Sequence, residues 1–128
     1  MIRILVLDDE EGNLDQLTEF FDYRGYKVFG ETTGRGAIET YDKEDPQLLL
    51  LDIRMPNEDG MDVLKHVRSK DKAAKIMMIT ALRDEETKKE AFALGADEYV
   101  LKPFNYEEVE GLVIKMVNEV IAEGKKVV

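Results

Sequence analysis

The chain has 128 residues and no cysteine, and its 28 acidic against 18 basic residues give a net charge of −10 at pH 7. This length suffices for one domain with a single core, and the lack of cysteine excludes disulfides, thiol catalysis and cysteine-based zinc sites. No apolar run approaches the roughly 20 residues of a membrane helix, and the acidic charge disfavours contact with nucleic-acid phosphates or anionic lipid. We expect a single cytoplasmic domain that binds neither a membrane nor nucleic acid directly.

Five apolar segments have the length and composition of strands. The clearest is the run of four leucines at 48–51, which is too continuous for a strand with one face in water and too short for a helix. The segment 26–31 is less apolar, which favours the edge of a sheet. The five predicted strands are Arg3–Leu7, 26–31, Leu48–Leu51, Lys75–Thr80 and Glu98–Leu101.

Apolar residues at helical spacing predict a helix after each strand. The first helix is expected to have Asn13 as its N-cap, with Gln16 three residues on, and to end at Gly25. The third helix is expected to be capped by Asp59. The predicted inward faces are Leu14, Leu17, Phe20 and Phe21 in the first helix, Ala37, Ile38 and Tyr41 in the second (34–43), and Met61, Leu64 and Val67 in the third.

The last two helices differ in the width of their apolar faces. The fourth, capped by Asp84 and ended by Gly95, has a thin apolar face and should be weakly held. The fifth has Asn105 as N-cap, Glu108 in the position of a capping box, and Gly124 as its stop. The predicted inward residues are Thr87, Ala91 and Leu94 in the fourth helix, and Val109, Leu112, Val113, Met116, Val117, Val120 and Ile121 in the fifth.

Alternating strands and helices predict an α/β fold, a doubly wound five-stranded parallel sheet covered by helices on both faces. The carboxyl ends of parallel strands lie at one edge, so Asp8, Asp9, Asp52, Thr80 and Lys102 should meet there. Like charges about 4 Å apart repel by roughly 4 kcal/mol at an effective dielectric near 20. Three carboxylates together therefore need a cation or must be partly protonated. A divalent metal is the simpler of the two, and an all-oxygen site with few carboxylates favours Mg²⁺ over Ca²⁺.

A metal, an ammonium and a hydroxyl around an aspartate can stabilise a phosphoryl group during its transfer. Asp52 is the candidate nucleophile, because it lies at the carboxyl end of the strand predicted to be most buried, where such sheets bind ligands. Attack by its carboxylate oxygen on phosphorus would give an acyl phosphate. Taken singly, each polar residue has an ordinary explanation, since acids favour helix starts and aspartate favours turns. Their convergence at one edge favours a chemical function.

Four short motifs surround these strand ends and together are far more specific than any one of them. They are LVLDDE (5–10), LLLDIRMPNEDG (49–60), MITA (78–81) and YVLKPF (99–104). In these motifs the chain resembles the response-regulator receiver domains of two-component signalling. The resemblance extends over about residues 2–122 and implies a flavodoxin-like (βα)5 fold with strand order 2-1-3-4-5. We expect a receiver domain at 1–122 and a tail, or the start of a linker, at 123–128.

The resemblance also implies roles for the acidic residues. Asp52 would be the phosphoacceptor and a Mg²⁺ ligand, Asp9 would bind the ion directly, and Asp8 would bind it through water. The backbone carbonyl of Arg54 would be a further ligand. The domain would be no enzyme in the usual sense, but a regulatory phosphoacceptor that assists its own phosphorylation and dephosphorylation.

Three further positions complete the resemblance. Thr80 would be the switch hydroxyl, Lys102 would bind the phosphoryl group and precede a cis bond to Pro103, and Tyr99 would be the aromatic switch residue. The donor would be a histidine kinase or a histidine phosphotransferase. The output, an attached effector domain or a separate protein, would use the surface of the fourth helix, fifth strand and fifth helix. The same surface could form a homodimer.

Three other functions remain open from the residues alone. A phosphohydrolase with an aspartate nucleophile needs a second aspartate two residues further on, where this chain has Arg54; turnover of a phosphate monoester would support it. A flavin protein would need a Ser/Thr-rich phosphate loop after the first strand, and the chain has neither that loop nor a tryptophan. A purely structural interaction domain would be disfavoured by Mg²⁺-dependent phosphorylation.

Overall fold

The structure is a computed structural model in which residues 1–53 and 59–124 are described. The predicted metal-ligand role of the Arg54 carbonyl and the capping role of the Asp59 side chain lie outside the described part. Strands and helices alternate along the chain as predicted. The elements are β1 (Arg3–Leu7), α1 (Glu11–Tyr23), β2 (Lys27–Glu31), α2 (Gly34–Glu44), β3 (Leu48–Leu51), α3 (Asp59–Lys70), β4 (Lys75–Thr80), α4 (Glu85–Ala93), β5 (Glu98–Leu101) and α5 (Tyr106–Ala122).

The five strands form one parallel sheet in the order β2-β1-β3-β4-β5, which confirms the predicted topology. β3 is hydrogen-bonded to β1 on one side and to β4 on the other. All four of its leucines are fully buried, as expected for a strand with helices on both faces. The less apolar β2 lies at an edge, also as predicted.

Two hydrophobic layers cover the sheet, one on each face. Successive side chains of a strand point to opposite faces, so the leucines of β3 are divided between the layers. Leu49 and Leu51 pack with residues of α2, α3 and α4. Leu48 and Leu50 pack with residues of α1 and α5. This double packing holds the carboxyl end of β3 rigidly at one edge of the sheet.

The predicted start of α1 was wrong. The helix begins at Glu11, with Glu10 in the N-cap position and no side-chain cap, so Asn13 lies inside the first turn. The cause is Asp8, whose carboxylate accepts a hydrogen bond of 2.9 Å from the backbone N–H of Glu10. The chain therefore turns into the helix directly after β1. The predicted end is confirmed, because Gly25 follows the helix with φ of +92°.

The two predicted side-chain caps of the later helices are confirmed. Asp84 accepts a hydrogen bond from the backbone N–H of Thr87 at 3.0 Å, and Asn105 accepts one from the N–H of Glu108 at 2.6 Å. The inward face of α5 is confirmed except at Ile121, which is 58% exposed. One residue turns a helix by about 100°, so with Val120 in the core its neighbour points outward.

The packing of α4 is thin, as its sequence predicts. Ala91 is the buried residue of this helix, while Thr87 and Leu94 are half-buried. A helix with so little buried apolar surface contributes little to the stability of the core and can shift at low cost. In the described ranges, none of the helices combines the length and apolar character needed to cross a membrane.

Candidate functional site

The sheet brings the predicted site residues together at the carboxyl ends of its strands. Asp8 follows β1, Asp52 follows β3, Thr80 is the last residue of β4, and Lys102 follows β5. Hydrogen bonds continue the sheet into the site, from the N–H of Asp52 to the carbonyl of Leu7 at 3.0 Å and from the N–H of Lys102 to the carbonyl of Thr80 at 2.8 Å. The backbones that carry these side chains are therefore as rigid as the sheet.

Asp8, Asp9 and Asp52 form an acidic cluster. One carboxylate oxygen of each lies within 4.8 Å of the others, so the predicted convergence is confirmed. Asp8 and Asp52 are buried, with 2% and 7% of their surface exposed, whereas Asp9 is exposed. Three carboxylates open to solvent on one side suit a hard divalent cation that keeps part of its water shell, as Mg²⁺ does.

Lys102 links the two buried acids of this cluster. Its ammonium donates hydrogen bonds to Asp8 Oδ2 at 2.8 Å and to Asp52 Oδ2 at 3.1 Å. Burial on its own lowers the pKa of Lys102, but the hydrogen bonds and charges of the two carboxylates outweigh burial and raise the pKa above its ordinary value. The lysine therefore stays charged and offsets part of the acidic repulsion. Its peptide bond to Pro103 is cis, as predicted.

The pKa of Asp52 is raised from 3.8 to about 6. Burial is the largest cause, because a carboxylate loses hydration inside the protein. Lys102 acts in the opposite direction, while the charges of Asp8 and Asp9 raise the pKa further. At neutral pH the carboxyl group is thus mostly ionised but poorly solvated. A poorly solvated anion beside a cation is a suitable nucleophile.

The Thr80 hydroxyl bonds to the main chain around the acidic cluster. It is fully buried, donates to the carbonyl of Ile53 at 3.3 Å and accepts from the N–H of Leu82 at 3.2 Å. The half-buried Tyr99 donates from its hydroxyl to the carbonyl of Leu82 at 2.9 Å. The peptide groups of Leu82 thus connect the threonine to the tyrosine.

Two cavities open beside the acidic cluster. The smaller, of about 240 Å³, is lined by Asp52, Thr80 and Lys102 among others, and its volume exceeds that of several water molecules at roughly 30 Å³ each. The larger, of about 450 Å³, shares Lys102 and extends between α1 and Tyr106 at the start of α5. A group of the size of a phosphoryl group would therefore have space beside the Asp52 carboxylate.

Gly60, from the second motif, lies in the first turn of α3 against the backbone of Asp52. A Cβ at this position would be 2.2 Å from the carbonyl oxygen of Asp52 and 2.8 Å from its carbonyl carbon. Only glycine allows the helix to approach the peptide group of Asp52 so closely. The sequence does not indicate the main-chain partners of Thr80 and Tyr99, which are the carbonyl of Ile53 and the peptide groups of Leu82. Main-chain groups are the same in every residue, so no sequence pattern points to such contacts.

A profile of the family described as the response regulator receiver domain matches residues 4–114. Among curated proteins, the chain is 36% identical over 111 residues to the regulatory protein AtoC of Escherichia coli, covering 87% of this chain and 24% of AtoC. It is 35% identical over 126 residues to the response regulator SaeR of Staphylococcus aureus, covering 98% of this chain and 53% of SaeR. The chain thus spans about half, or less, of the length of these relatives.

Solved structures agree with these matches. The response regulator TrrA of Thermotoga maritima, in complex with Mg²⁺ and BeF, superimposes with a TM-score of 0.80 at 36% identity, covering 91% of this chain and 99% of TrrA. The non-phosphorylated HemR receiver domain of Leptospira biflexa gives a TM-score of 0.84 at 28% identity, covering 91% of this chain and 94% of that one. Fold, motifs and site geometry all favour the same family over the three alternatives that the residues left open.

Proposed function

The chain belongs to the response-regulator receiver domain family, and on this basis we propose that it is a signalling switch controlled by phosphorylation of Asp52. The observation that carries the proposal is the position of the Asp52 carboxylate. It is almost fully buried among acids, yet it lies 3.1 Å from the ammonium of Lys102 and borders a cavity that can hold a phosphoryl group.

Magnesium is the cofactor that this site suits. We propose that Asp8, Asp9 and Asp52 hold it, and that the backbone carbonyl of Arg54, outside the described residues, is a further ligand. The clustered carboxylates support the assignment, since they offer oxygen ligands only and lie within 4.8 Å of one another. When bound, the ion supplies positive charge next to the phosphoryl oxygens, where negative charge is concentrated during transfer.

The chemical step is attack by a carboxylate oxygen of Asp52 on the phosphorus of a phosphohistidine, on a histidine kinase or a histidine phosphotransferase. The bond between phosphorus and the ring nitrogen breaks, an acyl phosphate forms, and the departing imidazole takes a proton from solvent. Lys102 is placed to follow the developing charge, because its ammonium already contacts the attacking carboxylate. Attack of water on the same phosphorus reverses the modification and regenerates the carboxylate.

Phosphorylation would change the hydrogen bonds of Thr80. The added phosphoryl oxygens are stronger acceptors than the carbonyl of Ile53, to which the hydroxyl now donates at 3.3 Å. Movement of Thr80 towards them would release the N–H of Leu82, and the bond from Tyr99 to the carbonyl of Leu82 would change with it. A full shift between two states needs about 5.5 kcal/mol of differential stabilisation, which several charge-assisted hydrogen bonds can supply.

The output would be read from the surface formed by α4, β5 and α5. This surface includes Tyr99 and the thinly packed α4, which are connected to the site through Leu82. We propose that it binds an output protein or an attached effector domain, and that homodimers can form through it. The greater length of SaeR and AtoC supports an attached effector, because the chain matches only part of each relative.

The decisive experiment is phosphorylation by a small acyl phosphate in the presence of Mg²⁺, read by intact-protein mass spectrometry. The wild-type protein should gain one phosphoryl group, and Asp52→Asn should gain none. Asp84→Asn is the matched control, because this exposed helix cap lies outside the acidic cluster and asparagine is also a good N-cap. Phosphorylation of Asp52→Asn, or none of the wild type with Mg²⁺ present, would overturn the proposal.

A further inference from the structure

Arg68, in the last turn of α3, joins three segments at the end of the sheet opposite the acidic cluster. Its side chain is only 12% exposed. Nε donates to the carbonyl of Gly95 at 2.9 Å, and Nη1 donates to the carbonyls of Asp71 and Ala74 at 3.1 and 2.5 Å. Nη2 forms an ion pair with Asp97 at 2.8 Å. One guanidinium thus holds the α3–β4 loop and the α4–β5 turn together.

The residues around Arg68 reinforce this junction. The Asp97 carboxylate oxygen that pairs with Arg68 also accepts a hydrogen bond from the N–H of Ile76 at 2.8 Å, and the N–H of Asp97 donates to the carbonyl of Ile76 at 2.8 Å. Gly95 has φ of +111°, and a Cβ there would lie 2.8 Å from Cγ of Arg68. Glycine is therefore required both by the turn and by the arginine lying against it.

The two ends of α4 differ in how they are held. At the carboxyl end, Phe92 and Ala93 are exposed, but Ala91 is buried and Arg68 fastens the turn that follows. The amino-terminal part, from Glu85 to Glu90, is exposed except for the half-buried Thr87. A cavity of about 650 Å³ lies beside it, bordered by Glu85 and Tyr99 among others. The loosely packed end of α4 is also the end nearer to Thr80.

We propose that Arg68 is a fixed anchor for α4, so that phosphorylation displaces the amino-terminal part of the helix while its carboxyl end stays in place. This proposal rests on the proposed function and specifies which part of the output surface responds. Movement at Thr80 and Leu82 reaches α4 at Asp84. The anchored turn at 94–97 resists it, because its two hydrogen bonds from the largely buried guanidinium would have to break. The two hydrogen bonds between Asp97 and Ile76 would have to break with them. The expected result is a swing of 83–90 about the turn.

Amide hydrogen exchange can test the anchor, with Mg²⁺ and beryllofluoride as the probe of the phosphorylated state. In the wild-type protein, the probe should change exchange in peptides covering 82–89 and leave 94–97 within twofold of the free protein. Without the probe, Arg68→Met should raise exchange at 94–97 by about tenfold or more, because loss of charged hydrogen bonds lowers the cost of local opening. With the probe, the response of the variant should extend into 91–97.

Arg24→Met is the matched control. Arg24 also forms an ion pair, with Glu110, which joins the end of α1 to α5, and its guanidinium stacks on Phe20 of α1. Arg24→Met should leave amide hydrogen exchange at 94–97 unchanged. Arg68→Lys, which keeps the charge without the planar set of donors, should give an intermediate increase, and it provides the test if Arg68→Met does not fold.

The outcomes separate the anchor from the proposed function. Unchanged exchange at 94–97 in Arg68→Met, or in Arg68→Lys if only that variant folds, would overturn the anchor. A wild-type response to the probe as large at 94–97 as at 82–89 would also overturn it, with the phosphorylation switch intact. No response of the wild-type protein to the probe, together with no phosphorylation of Asp52, would overturn both.

Discussion

Lys102 donates a hydrogen bond to Asp52 at 3.1 Å across 50 positions of sequence. The same ammonium is 2.8 Å from Asp8, so among the described residues it is the positive group in direct contact with the buried part of the acidic cluster. Two effects should follow from this position. The lysine competes with a metal ion for the carboxylates, and it stabilises charge at the phosphorus during transfer.

Replacing Lys102 by methionine should separate these two effects. Without the ammonium, the cluster is more negative, so Mg²⁺ affinity measured by calorimetry should rise. The rate of phosphorylation by an acyl phosphate at saturating Mg²⁺ should nevertheless fall by about tenfold or more, because a donor to the transferring group is lost. Lys75→Met is the control: Lys75 lies at the amino end of β4 and forms an ion pair with Glu123. Its replacement should change neither the Mg²⁺ affinity nor the phosphorylation rate. Weaker Mg²⁺ binding by Lys102→Met would contradict the electrostatic argument.

The raised pKa of Asp52, about 6, predicts a pH dependence of phosphorylation. Only the ionised carboxylate is a nucleophile, so the initial rate at low Mg²⁺ should fall by about tenfold from pH 7 to pH 5. Higher Mg²⁺ should move the midpoint to lower pH, since a cation favours the ionised form. A donor that is itself stable across this range allows the rates to be compared directly. A flat profile between pH 5 and 7 would show that Asp52 titrates below this range.

The same shift in pKa should affect stability, with a definite sign. Folding raises the pKa of Asp52 from 3.8 to about 6, so the folded state binds the proton more tightly, and the stabilisation present below pH 3.8 is lost as pH rises through 6. A shift of two units corresponds to about 3 kcal/mol. The side chain of Asp52→Asn cannot ionise, so the variant does not lose this stabilisation. Without Mg²⁺, its free energy of unfolding relative to that of the wild type should therefore increase by up to about 3 kcal/mol from pH 4 to pH 7. Urea denaturation at both pH values measures it, and an advantage independent of pH would refute the linkage.

The contact of Gly60 with Asp52 predicts opposite effects for two glycine substitutions. Gly60→Ala would place a Cβ 2.2 Å from the Asp52 carbonyl oxygen, which should destabilise the fold by about 1–3 kcal/mol and displace the nucleophile. Gly111→Ala, in the exposed part of α5 with nothing within 4 Å of the new Cβ, should stabilise the protein by about 0.5–1 kcal/mol. Urea denaturation compares them. Equal free energies of unfolding for the two variants would contradict this prediction. They would mean that α3 can move away from Asp52 without loss of stability.

The sequence predicted local features well where a single element decides them. The caps at Asp84 and Asn105 were correct because a helix start depends on residues within one turn. Asn13 was wrong because the more distant Asp8 carboxylate begins the helix earlier. Ile121 was assigned to the core because it continues an apolar pattern, whereas the packing of Val120 leaves it exposed. Arg68 gave no signal, since its partners lie in loops that the helical pattern does not describe.

The sequence by itself determined the order of strands and helices, the parallel sheet and the set of polar residues at its carboxyl edge. These follow from local periodicity and from the rule that parallel strands end at one edge. Only the tertiary structure decided that Lys102 bridges Asp8 and Asp52, that Thr80 is held by main-chain groups, and that a largely buried guanidinium fastens one end of α4. The physical reason is that such contacts join residues far apart in the chain. Their distances depend on how the packed layers meet, which periodicity along the chain does not encode.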